Sequence, residues 1–144
     1  FRVEGLSEEE HFANAVTALR AAAKHAEEAG VTLLLEPLNT RLFATMYLVS
    51  TKLGLDLVEA VNSPNLRLLY DVWHSAVMGE DVADVLAGRT HLVAHVQVAD
   101  MEDRNEPGTG TASTCRHPAA AICLPTATSD CPPHVSCATV RSNS

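Results

Sequence analysis

Residues 1–110 contain no cysteine, and this absence excludes a disulfide framework or a cysteine-based zinc site in that part of the chain. The four cysteines all lie after residue 110, at positions 115, 123, 131 and 137, and no two of them form a C-x-x-C pair. Their spacing therefore favours neither zinc binding nor a disulfide scaffold. Because a cysteine-free body is typical of cytosolic proteins, we predict a cytoplasmic location.

Basic residues are scarce: the sequence has ten lysines and arginines and 18 aspartates and glutamates, which gives a net charge of −8. Residues 1–110 alone contain 8 basic and 17 acidic side chains. A surface of this sign repels phosphate backbones and anionic lipid headgroups, so we expect no nucleic-acid partner and no membrane partner. No apolar run in the sequence reaches the length of a bilayer span.

Glycine and regular hydrophobic spacing are both absent after residue 110. Residues 111–144 are instead rich in Ala, Ser, Thr, Pro and Cys, with no period of 2 or 3.6. We predict one folded domain over 1–110 and a disordered or irregular tail over 111–144. The chain begins with Phe1 inside a running pattern, and we interpret it as a fragment of a longer protein.

The body of the chain alternates between helical and strand patterns. Ser7 and Glu10 form a capping box ahead of a helix that Gly30 ends. Residues 39–49 carry no pattern that assigns them. Strands alternating with helices indicate a parallel sheet with right-handed crossovers, which is the α/β fold class. The predicted strands are Val31–Pro37, Leu66–Asp71 and Leu92–Ala99, and the later helices are Thr51–Val61 and Asp81–Ala87.

Each of the three predicted strands has a side chain near its end that can bind a metal: Glu36, Asp71 and Gln97. In parallel α/β folds, ligands bind at the carboxyl ends of the strands, so these oxygens are expected to lie side by side. Carboxylate and amide oxygens suit Mg²⁺ or Mn²⁺ better than zinc. His74 and Arg104 lie in the loops beyond the strands, which is where substrate contacts come from.

Each of these residues also has a purely structural interpretation. Glu36 could simply close a strand, and Asp71 could cap the turn that follows it. His95 and Gln97, on one face of the last strand, could be buried residues bonded to neighbouring backbone, and for His95 we favour that interpretation. His74 taken alone is more typical of a surface histidine. The metal hypothesis rests on the repetition of one arrangement at three strand ends.

Three segments resemble the xylose isomerase-like TIM-barrel family, and most of all its hydroxypyruvate isomerase branch. They are LLLEPLNTR at 33–41, SPNLRLLYDVWHSAVMGED at 63–81 and HVQVADMEDRNEPGTG at 95–110. The resemblance implies a partial (β/α)8 TIM barrel of about three consecutive parallel strands with their helices. It also implies a divalent metal cofactor, Mg²⁺ or Mn²⁺, at the carboxyl ends of the strands.

By this resemblance, Glu36, Asp71 and Gln97 match metal ligands of the family, and His74 and Arg104 match substrate-contacting positions. Glu36 also matches one of a pair of glutamates that move a proton between adjacent carbons of an α-hydroxy carbonyl compound. The implied activity is the isomerisation of hydroxypyruvate to 2-hydroxy-3-oxopropanoate (tartronate semialdehyde) through an enediolate. The implied partner is a small-molecule substrate, with a homo-oligomer as an expectation for a full-length parent. An alternative is another sugar isomerase or epimerase of the same family.

The sequence also departs from the family pattern. A further metal ligand, which is also the second catalytic glutamate, belongs to the last strand of the barrel, and this chain has no counterpart of that strand. The resemblance stops near Thr111, as a reading-frame shift or a misjoined gene model would produce. Residues 42–46, LFATM, differ from the His- and Pro-containing segment expected there. We therefore expect the 144 residues themselves to form a non-catalytic partial barrel that binds metal weakly.

A third hypothesis is a DNA-repair endonuclease, a class that shares the barrel. Such enzymes usually have more histidine ligands and a basic face for the DNA backbone. The acidic composition of residues 1–110 disfavours this hypothesis.

Overall fold

The computed structural model describes residues 1–101 and 104–106. The tail predicted at 111–144 lies outside the described residues. Among the described residues, no helix combines the length and the apolar character needed to cross a bilayer. In chain order the elements are α1 (Glu8–Ala29), β1 (Leu33–Leu35), α2 (Thr51–Val61), β2 (Leu66–Asp71), α3 (Val72–Val77), α4 (Val82–Val85), a 3-10 turn (Thr90–Leu92) and β3 (Val93–Gln97).

The boundaries of α1 follow from cap residues that are visible in the sequence. The backbone N–H of Glu10 donates to Ser7 Oγ over 3.2 Å, and the N–H of Ser7 donates to the Glu10 carboxylate over 2.8 Å. The second of these bonds lowers the pKa of Glu10. At the other end, Gly30 adopts a left-handed φ of +66°. The predicted capping box and C-terminal glycine are therefore both confirmed.

The three strands form one parallel sheet in the order β1-β2-β3, as the alternation of elements predicted. Leu35 pairs with Leu68 between β1 and β2, and Asp71 pairs with Gln97 between β2 and β3. The helix α2 connects β1 to β2 and packs against both α1 and β2. Because parallel strands end at the same edge of a sheet, residues at the ends of β1, β2 and β3 are brought close together.

The two faces of β2 have different surroundings. Leu66, Leu68 and Tyr70 are at most 1% exposed and belong to the hydrophobic core that α2 completes. Burial also raises the pKa of the Tyr70 hydroxyl to about 12. Leu69 and Asp71 alternate with them and so point to the opposite face of the sheet. Asp71 is therefore placed on the face directed away from the helical core.

The strand β3 differs from its prediction in length and in burial. We predicted a buried strand over Leu92–Ala99, but β3 covers only Val93–Gln97, and its residues are half-buried or exposed. Its start is displaced because Thr90–Leu92 forms a 3-10 turn. Within the described residues β3 is an edge strand, with β2 as its neighbour on one side. The prediction of a fully buried strand was therefore wrong for this part of the chain.

The remaining differences concern short elements. The predicted bounds of α2 and β2 agree with the structure, whereas β1 and α4 are shorter than the predicted Val31–Pro37 and Asp81–Ala87. The helix α3 has no counterpart in the sequence prediction. Asp71 is both the last residue of β2 and the N-cap of α3, so no loop marks the change.

Residues 39–49, which no sequence pattern assigned, are held in place by the N-terminal part of the chain. The backbone N–H of Arg2 donates to the carbonyl of Thr45 over 2.8 Å. The ring of His11, on α1, stacks on Tyr47 with 5.1 Å between ring centroids. These contacts fix the loop that follows β1, and the candidate site uses a side chain of that loop.

Gly54 allows α2 to approach the sheet closely. A Cβ atom at this position would lie 2.7 Å from Leu68 Cδ1 and 2.8 Å from Pro37 Cγ. Alanine normally stabilises a helix by about 1 kcal/mol relative to glycine. Here Leu68 is fully buried and the proline ring is rigid, so neither can move away cheaply. We expect Gly54→Ala to lower the free energy of unfolding, measured in urea, by about 1–3 kcal/mol.

The double variant Gly54→Ala/Leu68→Ala isolates the cause of that loss. Removing the Leu68 side chain relieves the contact at 2.7 Å and leaves the contact with Pro37 Cγ. Gly54→Ala should therefore cost less in the Leu68→Ala background than in the wild-type chain. A gain in stability for the single variant would contradict the close approach of helix and sheet.

Candidate metal and substrate site

Three side chains with metal-binding atoms meet at the carboxyl edge of the sheet. Glu36 follows β1 directly, Asp71 ends β2, and His74 lies on α3. One donor atom from each side chain lies within 4.8 Å of the others. The side chains of Asp71 and His74 are almost fully buried, whereas 31% of the Glu36 side chain is exposed. The structure thus brings Glu36 and Asp71 together at the strand ends, where the sequence predicted a metal.

The Asp71 carboxylate is held by one local and one distant partner. Its Oδ1 accepts a hydrogen bond from the backbone N–H of Trp73 over 2.9 Å, which caps α3. Its Oδ2 accepts a charged hydrogen bond from Nη2 of Arg104 over 2.6 Å. A buried carboxylate needs such partners because leaving water costs it several kcal/mol. Asp71 therefore has a fixed position, and one of its oxygens already binds a cationic group.

His74 is positioned by an equally buried amide. Nδ2 of Asn39 lies 2.8 Å from Nδ1 of the His74 ring, and Asn39 has no exposed surface. Oδ1 of the same amide accepts the backbone N–H of Leu42 over 3.0 Å. The other ring nitrogen, Nε2, lies 3.8 Å from Glu36 Oε1 and 3.8 Å from Asp71 Oδ2. These two separations are too long for hydrogen bonds, so Nε2 faces the carboxylates across a short gap.

Burial and charge shift the ionisation of two groups in the cluster. Burial raises the pKa of Glu36, and the nearby Asp71 carboxylate raises it further, with partial relief from Arg104 and His95. Burial lowers the pKa of His74; Asp71 opposes that shift and Arg104 adds to it. The local environment therefore penalises ionised Glu36 and favours a neutral imidazole.

The donor set fits a hard divalent cation. Burial raises the pKa of Glu36 and the neighbouring Asp71 carboxylate adds to that rise, and a cation between the two carboxylates would offset both effects. Oxygen donors of this kind are the usual ligands of Mg²⁺ and Mn²⁺. The residues present are therefore compatible with the divalent metal that the sequence predicted.

Arg104 places a cation at the solvent side of the cluster. Its backbone φ of +57° is uncommon for a residue other than glycine and turns the chain at this point of the loop. Its guanidinium carbon lies 4.9 Å from the centroid of the Trp73 ring, and 43% of its side chain is exposed. An arginine stacked on an indole and partly open to solvent suits the binding of an anionic group.

The two polar residues of β3 are placed beside the cluster with less burial. Gln97 is the register partner of Asp71 and is exposed, so its role as a metal ligand stays a prediction. His95 is the register partner of Leu69 and is only half-buried, whereas we favoured a buried residue bonded to neighbouring backbone. Its charge interacts with Glu36 and lowers the pKa of that carboxyl.

Sequence reasoning missed Asn39 and Trp73. Asn39 lies in the loop after β1 that no pattern assigned, three residues beyond Glu36. Trp73 directly follows the start of α3, a helix that was not predicted. The only sequence signal was a polar residue shortly after a strand end, which is common in any loop. Only the fold shows that both side chains contact the cluster.

Comparison with known proteins shows similarity to one protein family and to several of its relatives. The profile described as "Xylose isomerase-like TIM barrel" matches residues 2–118. The chain is 33% identical over 106 residues to the hydroxypyruvate isomerase of Escherichia coli, covering 74% of the chain and 41% of that protein. It is 34% identical over 92 residues to the 2-oxo-tetronate isomerase of Cupriavidus necator, covering 64% of the chain and 35% of that protein.

A solved structure with a similar fold is the crystal structure titled "AP endonuclease, family 2" from Brucella melitensis. Its TM-score is 0.68 at 32% identity, and the match covers 75% of this chain and 42% of that one. The match thus spans between 35% and 42% of the length of these relatives. The three parallel strands of the described residues and their helices are a part of the (β/α)8 barrel, and this chain belongs to the xylose isomerase-like TIM-barrel family.

Proposed function

We propose that the protein carrying this sequence is a divalent-metal-dependent isomerase of a small hydroxy-carbonyl substrate. The proposed reaction is the conversion of hydroxypyruvate to 2-hydroxy-3-oxopropanoate, an intramolecular oxidation and reduction. The observation that carries the proposal is the meeting of Glu36, Asp71, His74 and Arg104 at one edge of the sheet. The similarity to a hydroxypyruvate isomerase at 33% identity supports the same reaction.

The proposed metal ligands are Glu36, Asp71 and Gln97, which follow or end the three strands. When bound, Mg²⁺ or Mn²⁺ would polarise the carbonyl and hydroxyl oxygens of the substrate. The chain's part is to hold two carboxylates in a fixed, largely buried arrangement. The hydrogen bond from Trp73 to Asp71 supports this rigidity.

Glu36 is proposed to transfer the proton. In this reaction a carbon bearing a hydroxyl group loses a proton, the resulting enediolate is reprotonated on the adjacent carbon, and the hydroxyl proton moves to the former carbonyl oxygen. The Glu36 carboxylate can accept the proton from one carbon and return it to the neighbouring carbon. Its partial exposure leaves one side of the carboxylate accessible to a substrate.

Arg104 and His74 are proposed to bind the substrate. Arg104 is partly exposed and stacked on Trp73, so its free donors can pair with a substrate carboxylate. His74 faces the gap between Glu36 and Asp71, where it can contact a substrate oxygen. A small-molecule substrate, a cytoplasmic location and a homo-oligomer of the full-length protein complete the proposal.

The 144 residues by themselves are proposed to be inactive and to bind metal weakly. Their described part supplies three strands, whereas the barrel of this family has eight. Isothermal calorimetry of this chain should show no tight, stoichiometric binding of Mn²⁺. Stoichiometric binding with micromolar affinity would contradict this part of the proposal.

Two of the similar proteins suggest alternative activities. The similarity to a 2-oxo-tetronate isomerase favours a related substrate with the same chemistry, and the site residues do not distinguish the two. The similarity to the solved structure titled AP endonuclease suggests a DNA-repair activity, and the net charge of −8 disfavours it. Tight, salt-sensitive binding to abasic duplex DNA would support that alternative.

The test is metal removal from the full-length protein that carries this sequence. Treatment with EDTA should lower the isomerisation rate of hydroxypyruvate at least about 100-fold, and Mg²⁺ or Mn²⁺ should restore it. The product is followed by proton NMR, with 2-oxo-tetronate assayed in parallel. Full activity in the presence of the chelator would contradict the proposed metal, and no turnover of either substrate would contradict the proposed reaction.

A further inference from the structure

We propose that Asn39 is a positioning residue that holds the His74 ring in the tautomer protonated at Nε2, so that His74 donates a hydrogen bond into the cluster instead of binding the metal. The inference deepens the proposed function and rests on it for the identity of the ligand. The tautomer itself is a property of the chain without metal or substrate, and it is tested separately.

The orientation of the Asn39 amide is fixed by the backbone. Oδ1 lies 3.0 Å from the backbone nitrogen of Leu42, and a backbone N–H can only donate a hydrogen bond. The acceptor oxygen of the amide must therefore face Leu42. The NH₂ group then faces Nδ1 of His74, at 2.8 Å. Rotating the amide by 180° would place two donors opposite each other at Leu42, and Asn39 has no exposed surface at which water could compensate.

The amide orientation in turn fixes the ring. An amide NH₂ group only donates, so Nδ1 of His74 must accept and carry no proton. A neutral imidazole has one N–H, which is then on Nε2. A doubly protonated ring would place an N–H of Nδ1 opposite the N–H groups of the Asn39 amide, so two donors would face each other. The neutral ring with Nε2–H is thus the form that satisfies every partner in the structure.

The tautomer decides what His74 can do in the cluster. Metal binding needs a lone pair, and in this tautomer Nε2 has none to offer. Nε2 lies 3.8 Å from both Glu36 Oε1 and Asp71 Oδ2, which leaves its N–H available to an oxygen atom of a bound ligand. His74 therefore acts as a hydrogen-bond donor to substrate. The metal ligands left on these elements are oxygens, which favours Mg²⁺ or Mn²⁺ over zinc.

The direct test is the ¹⁵N NMR spectrum of the His74 ring in the metal-free chain, assigned through a His74→Gln variant. We expect Nδ1 to resonate as an unprotonated, imine-type nitrogen and Nε2 as a protonated, pyrrole-type nitrogen. The opposite assignment would overturn the proposal. This measurement does not depend on metal binding, so its result is independent of whether the proposed function is correct.

Asn39→Asp is the variant that reverses the tautomer. A carboxylate at this position only accepts, so Nδ1 of His74 should become the protonated nitrogen and Nε2 should expose its lone pair. We expect Co²⁺ and Zn²⁺ to bind this variant at least about 10-fold more tightly, with a smaller gain for Mg²⁺, because nitrogen ligands favour the former ions. Calorimetry is done with the cysteines alkylated in every sample, so that the thiols do not compete for the ion.

Two comparisons separate the tautomer from simpler effects. The double variant Asn39→Asp/His74→Gln keeps the added negative charge and should lose the gain in Co²⁺ affinity. His74→Gln alone should change the affinity for Mn²⁺ less than about threefold, whereas a metal ligand would cost 10-fold or more. A large loss in that variant, or an unchanged tautomer in Asn39→Asp, would overturn the proposal. If Asn39→Asp fails to fold, the Mn²⁺ affinity of His74→Gln still tests the proposal.

Discussion

Replacing Glu36 by glutamine is expected to lower the isomerisation rate of the full-length protein by at least about 10³-fold. The amide keeps the size of the side chain but can neither take up the substrate proton nor bind a divalent cation as an anion. General acid–base catalysis alone contributes about 10²–10⁴-fold to such reactions. The measurement is kcat at saturating Mn²⁺, with product followed by proton NMR.

The fold should survive this substitution. Because the pKa of Glu36 is raised in the folded chain, its ionised form opposes folding at every pH above the pKa of an unfolded glutamate. A neutral amide removes that penalty, so thermal unfolding at neutral pH should occur at the same or a higher temperature. The matched control is Glu59→Gln, on α2, where the carboxylate pairs with Arg89 far from the strand ends. Unchanged turnover in Glu36→Gln would remove the proton-transfer role assigned to Glu36.

Replacing Asp71 by asparagine is expected to weaken the binding of Mn²⁺ to the full-length protein at least about 100-fold. A unit charge about 4 Å from another is worth about 4 kcal/mol near a protein surface, and a divalent ion doubles that attraction. The loss of one carboxylate therefore exceeds the 2.7 kcal/mol or so that a 100-fold change requires. Calorimetry or electron paramagnetic resonance of Mn²⁺ measures the change.

The structure explains why this variant should still fold. Oδ1 of Asp71 caps α3 through the N–H of Trp73, and asparagine is as good an N-cap as aspartate. Arg104, which loses its partner, is 43% exposed and remains hydrated. Asp81→Asn is the matched control, because Asp81 caps α4 in the same way. Equal loss of metal binding in both variants would show that capping, and not the site, is responsible.

The sequence identified the elements whose ends carry local signals. The capping box at Ser7 and the glycine at position 30 fixed α1, and Ser63-Pro64 separated α2 from β2. These signals work because the atoms that satisfy a helix end belong to residues a few positions away. By contrast, α3 was missed because Asp71 finishes a strand and begins a helix without an intervening turn. The burial of β3 was overestimated because it depends on which strands flank it.

For the site, the sequence by itself determined that acidic and amide side chains stand where parallel strands end, and hence that Glu36 and Asp71 would meet. The tertiary structure alone decided which residues hold the site in place: Arg104 binds Asp71, and Asn39 binds His74. These contacts join residues 33 and 35 positions apart in the chain. A hydrogen bond of that kind is lost when the separation between two elements changes by a few tenths of an ångström, and no local sequence pattern encodes that separation. The ring nitrogen that carries the proton in His74 follows from that geometry and not from the residue type.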